Sequence, residues 1–393
     1  MQTTSIKSRI KKFIQYIYFL FVPQVKMSSN YNFKVIGDKN FHFNVGYYDI
    51  DPIDSSGANI LCHKIKKKFT NQIEPEIGEI GLLSINSGNF QKIAETKALN
   101  WQLGSRAQWL GENEIIFNDI EDDFQVSKVF DTKKNLVLRT FKRPFWAISN
   151  NKRLGVSLNF SRIKQKRPGY GYAGQNIDKN EETLTIFNLE TDSEEYRATL
   201  KEIFKEINFS YHESDPYLNH IAWSPCSKKF LTIFHYENEY ESRKIFPIIF
   251  DLEDKNWSLI DSSGYFSHHV WLDDQTILAH MEQDNERRFF TWTKKTGWTK
   301  VIISMPKTDG HPSPMRNGNS IVVDTYPNVL GKMSIFLGSA DRKTKYNQIG
   351  RVINLPDYNG PLRCDLHPRT SKDSIICDMP TRDGRKILLI THK

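Results

Sequence analysis

Cysteine is scarce in this chain of 393 residues: there are four, at Cys62, Cys226, Cys364 and Cys377, and no two share a CxxC spacing. That excludes a disulfide framework and a zinc ribbon, and leaves reduced, buried thiols as the expectation. Long apolar runs are missing too, since no stretch approaches the roughly 20 residues of a membrane-spanning helix. Hydrophobic residues make up 38% and aromatics 12%, the proportions of a folded globular chain. GxSxG and P-loop patterns are absent, and no cysteine sits in a catalytic context. Nucleophile-elbow hydrolysis and P-loop nucleotide binding are thereby excluded. Neither sign of charge dominates: 54 basic against 46 acidic residues give +8. The basic residues are spread over many turns without RNA-type aromatic motifs, so no nucleic-acid partner is expected.

The first 30 residues stand apart. Lys7 to Lys12 is basic, and Phe13 to Val22 (FIQYIYFLFV) is a short apolar run broken by Gln15. This has the outline of a secretory n-region and h-region, but Pro23-Gln24-Val25-Lys26 follows in place of a small-x-small cleavage site. Three readings stay open: an uncleaved interfacial anchor giving peripheral membrane association through residues 10–22, a poor signal peptide, or extra residues ahead of a start at Met27. Residues 1–30 are therefore set aside, and 31–393 are read as one domain.

That domain reads as short strands. Glu114–Asn118 (EIIFN), Phe230–Phe234 (FLTIF), Thr276–Ala279, Ser320–Asp324 (SIVVD) and Ser374–Asp378 (SIICD) are rich in Ile, Val, Phe and Thr and are bounded by turn residues. Only Ser193–Ile207 has helical period, through Tyr196, Leu200, Ile203, Phe204 and Ile207. A lone helix among many strands is an insertion, which disfavours doubly wound and βα-barrel folds.

An internal repeat decides the architecture. His220-Ile-Ala-Trp-Ser-Pro, His268-His-Val-Trp-Leu-Asp, His311-Pro-Ser-Pro-Met and His367-Pro-Arg-Thr-Ser each open a short strand, a polar turn and an apolar strand. Weaker copies start at Tyr47, Gln108 and Trp146. Starts at 47, 108, 146, 220, 268, 311 and 367 lie 38 to 74 residues apart, against the roughly 40–50 of a four-stranded propeller blade. The fold class is all-β: a seven-bladed β-propeller with one helical insertion in a blade loop. The last copy, ending in Lys386–Thr391 (KILLIT), is one strand short, and Asn32–Ile36 near the N-terminus is expected to complete it.

Residues at equivalent positions of the copies form a ring in such a fold, and four of the eleven histidines (His220, His268, His311, His367) are in register. Each alone commonly caps backbone; together they suit a metal or proton-transfer site. Asp365, two residues before His367, projects to the same side of an extended strand, and a carboxylate beside imidazoles suits a divalent cation such as Mn or Zn. Pairing of Asp365 with Arg363 or Arg369 is the competing reading. His269 is expected to point the opposite way from His268 and to be structural. Arg162–Gly174 (RIKQKRPGYGYAG) combines cations, Arg162 and Arg167 among them, with Tyr170 and Tyr172, a composition that suits an anionic sugar or, equally, a solvated basic loop. Trp101, Gln102, Arg106, Gln108 and Trp109 form a second cluster, for which blade packing is the alternative.

Gly46-Tyr47-Tyr48-Asp49, Asn100-Trp101-Gln102, Gln108-Trp109-Leu110, Arg167-Pro-Gly-Tyr-Gly-Tyr-Ala-Gly174, Asp309-Gly-His-Pro-Ser313, Asp324-Thr-Tyr-Pro327 and Asp365-Leu-His-Pro-Arg369 resemble a group of bacterial TolB-like propeller proteins related to oligogalacturonate lyases. The resemblance covers about residues 41–393. It implies polysaccharide-associated chemistry: a manganese ion held by histidines and a glutamine, with an arginine removing the proton in β-elimination. Carried over by motif, His268 and His367 match metal histidines, His220 and His311 head other blades, and Arg162, at the end of the third copy's second strand, falls near the lyase arginine. Where the lyases have His-Pro-His, this chain has Asp365-Leu366-His367, and the ligand glutamine falls on or near Leu362.

The resulting expectation is a lyase-like enzyme acting on an acidic oligo- or polysaccharide. Its metal ligands are His268, His311, Asp365 and His367, and its catalytic groups Arg162, His220, Tyr170 and Tyr172. Substrate contacts come from Trp101, Gln102, Gln108, Arg167, Arg363 and Arg369. The alternative is a non-catalytic propeller binding glycan or protein during surface-polysaccharide biosynthesis. Free cysteines and the missing cleavage site point to a cytoplasmic or inner-membrane-associated location, with the periplasm left open.

Overall fold

A computed structural model describes residues 6–67, 77–176, 182–210, 216–237, 243–301, 305–315, 318, 320–339 and 345–393. Part of the turn in the copy headed by His311 (316, 317 and 319) lies outside the described residues. The fold is a seven-bladed β-propeller: seven antiparallel sheets, six with four strands and one with five. Its hairpins are closed by residues that tolerate positive φ. Asp122-Asp123 (φ 48° and 66°) join Glu114–Glu121 to Phe124–Asp131, and Asp284-Asn285 (φ 53° and 60°) join Ile277–Gln283 to Glu286–Thr293. Two-residue turns of this hand match the twist of the flanking strands, and Asp and Asn enter them at little steric penalty.

The chain divides into two compact units, residues 1–94 with 302–393, and residues 95–301. The first holds three blades. Blade 1 is Phe41–Asn44, Asn59–Lys66, Gly78–Ser84 and Phe90–Thr96. Blade 6 is Pro312–Pro314, Ser320–Asp324, Lys332–Ser339 and Asn347–Ile353, with Val25–Met27 added at its edge. Blade 7 is Arg369–Ser371, Ser374–Thr381, Gly384–His392 and, as expected from the missing strand, the N-terminal Tyr31–Ile36. Tyr31 pairs with His392 and Ile36 with Ile387.

Alternation explains why Ile387, Leu388, Leu389 and Ile390 are all apolar. Leu388 and Ile390 point into the cluster shared with Val322, Ile335 and Val352 of blade 6, whereas Ile387 and Leu389 point into the cluster shared with Phe43, Ile60 and Leu83 of blade 1. A strand buried on both faces must be apolar at every position.

The second unit holds blades 2 to 5, headed by Gln108–Trp109, Ala147–Ile148, Tyr217–Trp223 and Phe266–Trp271. Here two expectations need correction. The window Ser193–Ile207 splits into a strand, Glu194–Thr199, and a helix, Leu200–Glu206, inserted between blades 3 and 4. Thr199 and Glu202 form a capping box that starts the helix, while Tyr196 is drawn into the sheet: its ring packs 4.5 Å from Phe250 and its hydroxyl accepts from Trp257 Nε1 at 3.0 Å. Tertiary packing outweighs the helical period. Arg162, expected at a strand end, lies on a second helix, Phe160–Lys166, whose first turn is capped by the Asn159 side chain. Gly171 (φ 74°) presses against that helix, where a Cβ would strike the Phe160 carbonyl and the Lys164 nitrogen.

Residues before 31 are part of the fold as well. Ile6–Phe21 is a helix, and Val25–Met27 pairs with Asn347–Ile353, so the sheets begin earlier than the sequence boundary. No described helix is long and apolar enough to cross a membrane. Cys62, Cys364 and Cys377 are buried and Cys226 is exposed, a departure from the expectation that all four are buried. Burial pushes the Cys364 thiol up to about 12, so it stays protonated and unreactive.

Candidate metal centre and a second histidine group

In the first unit, three side chains from the sequence's metal set converge. His311 precedes the first strand of blade 6, and Asp365 and His367 precede the first strand of blade 7. All three are buried, and their ligand atoms lie within 4.8 Å of one another. Donors sharing one ion at about 2.2 Å stand up to about 4.4 Å apart, so a few tenths of an ångström of closure would seat a cation. The two imidazoles meet edge to face, centroids 4.3 Å apart.

Backbone chemistry sets their orientation. Gly310 lies so close to blade 6 that a Cβ there would overlap the Asp324 carbonyl, and this contact brings His311 onto Asp324. The Asp324 carboxylate accepts from the His311 backbone N (2.6 Å), from His311 Nδ1 (2.9 and 3.0 Å to its two oxygens) and from the His367 backbone N (3.2 Å). His367 Nδ1 donates to the Gly46 carbonyl at 3.2 Å. With Nδ1–H committed on both rings, each neutral imidazole carries its lone pair on Nε2, the form that ligates a metal. His367 also holds φ at 43°, uncommon for a residue with a side chain and maintained here by the bonds around it.

Charge in the cluster is tuned against burial. Desolvation opposes a protonated His311, yet Asp324, aided by Asp365 and Asp309, outweighs it and holds the imidazole above its ordinary range. Asp365 receives Arg363 Nε at 2.8 Å and lies 4.0 Å from His367 Nε2. Tyr47 packs 4.9 Å from His367, Tyr48 5.3 Å from His311 and Tyr326 5.5 Å from His311, so aromatic rings wall the centre. The donors (two imidazoles and a carboxylate, two anchored from behind) fit a borderline divalent cation.

Arg369, expected to contact substrate, is buried instead. Its Nε donates to the Tyr47 carbonyl at 2.8 Å, and one terminal nitrogen bonds Asp378 at 2.7 Å and the Gly46 carbonyl. It thus fixes the backbone that His367 leans on. Arg363 remains partly exposed, at 28% of its side-chain area.

His220 and His268 belong to the second unit. The first strands of blades 4 and 5 both lose register at these histidines, between Asn219 and Ala222 and between Phe266 and His269. A bulge defeats strict alternation. Hence His269, expected to face away, packs 6.3 Å from the His220 ring, with its Nδ1 on the Ser267 carbonyl at 3.1 Å. His268 Nδ1 lies 3.2 Å from Ser267 Oγ. His220 holds φ at 56° and sits 5.3 Å from Trp146 and 6.1 Å from Tyr170. Burial, reinforced by Arg167 and the neighbouring histidines, keeps His220 well below the ordinary range and therefore neutral.

The other sequence candidates of this unit are committed to packing or ion pairs. Arg162 lies 3.3 Å from Glu182 and donates to the Pro216 carbonyl at 2.9 Å. Arg167 stacks on the Tyr170 ring at 4.1 Å. Tyr172 is buried, stacked on Phe160 at 4.6 Å, and burial raises its hydroxyl further from ionisation. Tyr170, Trp101 and Gln102 are buried and Gln108 is half-buried. Asp324, Tyr47, Tyr48 and His269 escaped selection from sequence. The first three stand in the motifs quoted above, and that was the available signal; His269 left none.

No protein-family model matches the chain, and no curated protein matches it. Solved structures do. An oligogalacturonate lyase from Vibrio parahaemolyticus is similar at a TM-score of 0.59 and 11% identity, over 93% of this chain and 97% of that one. An oligogalacturonate lyase in complex with manganese is similar at 0.59 and 11%, over 95% and 99%. TolB from Acinetobacter baumannii is a looser neighbour, at 0.40 and 12%, over 70% and 60%. The structural neighbours are thus oligogalacturonate-lyase and TolB propellers at low sequence identity, a likeness of fold.

Proposed function

We propose that this chain is a carbohydrate-active propeller that acts on a uronate-containing oligo- or polysaccharide by metal-assisted β-elimination. The observation that carries the reading is the convergence of His311, Asp365 and His367 with both imidazole Nδ1 atoms anchored, in a fold whose solved neighbours include a lyase in complex with manganese. His311, Asp365 and His367 would hold the cation. A divalent ion bound there supplies charge that neutralises a substrate carboxylate and so acidifies the adjacent C–H. Arg363, partly exposed beside Asp365, offers a guanidinium fork for the same carboxylate. Tyr47, Tyr48 and Tyr326 exclude water around the two imidazoles. The net charge of +8 favours a polyanionic substrate.

One observation favours a second reading, a non-catalytic glycan- or protein-binding propeller. Arg363 already occupies Asp365 at 2.8 Å and competes with a cation for that carboxylate. The experiment separates the two. The purified protein is incubated with a panel of uronate polymers, with Mn, with Zn and with chelator, and ultraviolet absorbance of the unsaturated product is followed. A metal-dependent rise that disappears in His367→Ala supports elimination. Flat absorbance together with saturable glycan binding rejects it in favour of the binder.

A further inference from the structure

The helix Ile6–Phe21 has two apolar sides, and the fold uses only one. Phe19 packs on Leu355, Tyr358 and Cys364, and the Arg382 guanidinium lies 4.9 Å from its ring. Gln15 Nε2 donates to the Val329 carbonyl at 3.1 Å, and the Tyr16 hydroxyl bonds Asp357. These contacts fasten the helix to the first unit. At about 100° per residue, Ile10, Phe13, Ile14, Ile17, Leu20 and Phe21 fall in one contiguous arc of about 120°, opposite Phe19. All six are exposed, Phe13 and Leu20 at 65% and Phe21 at 80% of their area. A stripe of this size held rigidly in water marks an interaction surface.

Charge says what covers it. The chain has no Asp or Glu before Asp38, and Lys7, Arg9, Lys11 and Lys12 all lie on the helix sequence, with Lys26 and Lys34 following. An acid-free basic helix with one large aromatic and aliphatic face matches the interface of an anionic bilayer, where apolar side chains enter the acyl boundary and lysines meet the headgroups. At 16 residues the helix is about 24 Å long, short of the roughly 30 Å hydrocarbon core, so it lies on the membrane and does not span it.

We infer that Ile6–Phe21 is a membrane-surface anchor that seats the first unit on an anionic lipid bilayer through Phe13, Leu20, Phe21 and their neighbours. This inference is independent of the metal centre. The test is co-sedimentation of the full chain with vesicles of phosphatidylcholine alone and of phosphatidylcholine with phosphatidylglycerol, at low and high salt. It is repeated for the double variant Phe13→Glu, Leu20→Glu, whose two sites are exposed, and the melting temperature verifies that the variant stays folded. The protein should pellet with the anionic vesicles and less so at high salt. In the double variant, removal of two apolar insertions lowers the partition coefficient by roughly 100-fold or more. Three results overturn the inference: no pelleting with either vesicle, equal pelleting of the variant, or wild-type self-association that the same variant abolishes, which makes a second copy the occupant.

Discussion

Asp324 holds the His311 imidazole and the His367 backbone of the candidate metal centre, so Asp324→Asn tests it most directly. The carboxylate accepts the His311 backbone N and Nδ1 on one oxygen and His311 Nδ1 and the His367 backbone N on the other. An asparagine keeps the volume but offers one oxygen, and its NH₂ must face either His311 or His367. One buried N–H then loses its acceptor, which costs about 1–3 kcal/mol of stability. The His311 ring keeps one oxygen near Nδ1 but loses the carboxylate charge that orients it, and a change in an outer partner of this kind lowers metal affinity about 10–100-fold, or about 1.4–2.7 kcal/mol. Calorimetric titration of the wild type and the variant with Mn and with Zn, together with thermal unfolding in chelator, separates the two effects. A variant that melts earlier yet binds metal within about threefold of the wild type would refute the reasoning, because Asp324 would then support the fold alone.

Further outcomes follow from the same geometry. Burial holds His63 at about 4, offset in part by its bond to the Asn44 carbonyl, and holds His42 at about 3 with help from Arg385, Lys67 and Lys386. Both folded values lie below the ordinary 6.5, so the unfolded chain binds more protons between them. Stability is full above pH 6.5 and is lost as pH falls toward 4, with about 3 kcal/mol from His63; urea titrations across that window should show a shallower pH slope in His63→Leu. Leu388→Ala opens a cavity in the cluster between blades 6 and 7 and should destabilise by about 2–5 kcal/mol, read from denaturant midpoints. Gly171→Ala forces a Cβ onto the Phe160 carbonyl at φ 74° and should lower Tm, whereas Gly297→Ala, with open space around it, should lower it less. Equal effects of the two would show that the close approach at Gly171 is irrelevant.

Much of the architecture was legible in the chain because its information is local. Seven copies of strand, turn and apolar strand define blades. The continuous apolarity of Ile387–Ile390 requires burial on both faces, and a last copy one strand short requires the N-terminal Tyr31–Ile36, which pairs with Gly384–His392. Period alone misled where distant packing competed. Tyr196 belongs to a helical pattern, but Phe250 and Trp257 hold it in a strand. Arg162 closes a strand pattern, but the Asn159 cap winds it into a helix.

The chemistry was legible only in part. Residue types and motifs singled out His311, Asp365 and His367, which do converge. Which atoms face one another depends on the carbonyl of Gly46 and the carboxylate of Asp324, placed by strands far away in sequence. Bulges at His220 and His268 rotate His269 toward His220, and no count of alternating positions reports a bulge. Composition and period determine what each segment can bury, since that is a property of its own side chains. Only tertiary structure decides the direction of a ring and the partner of a charge, because both are set by backbone groups that the chain brings from elsewhere.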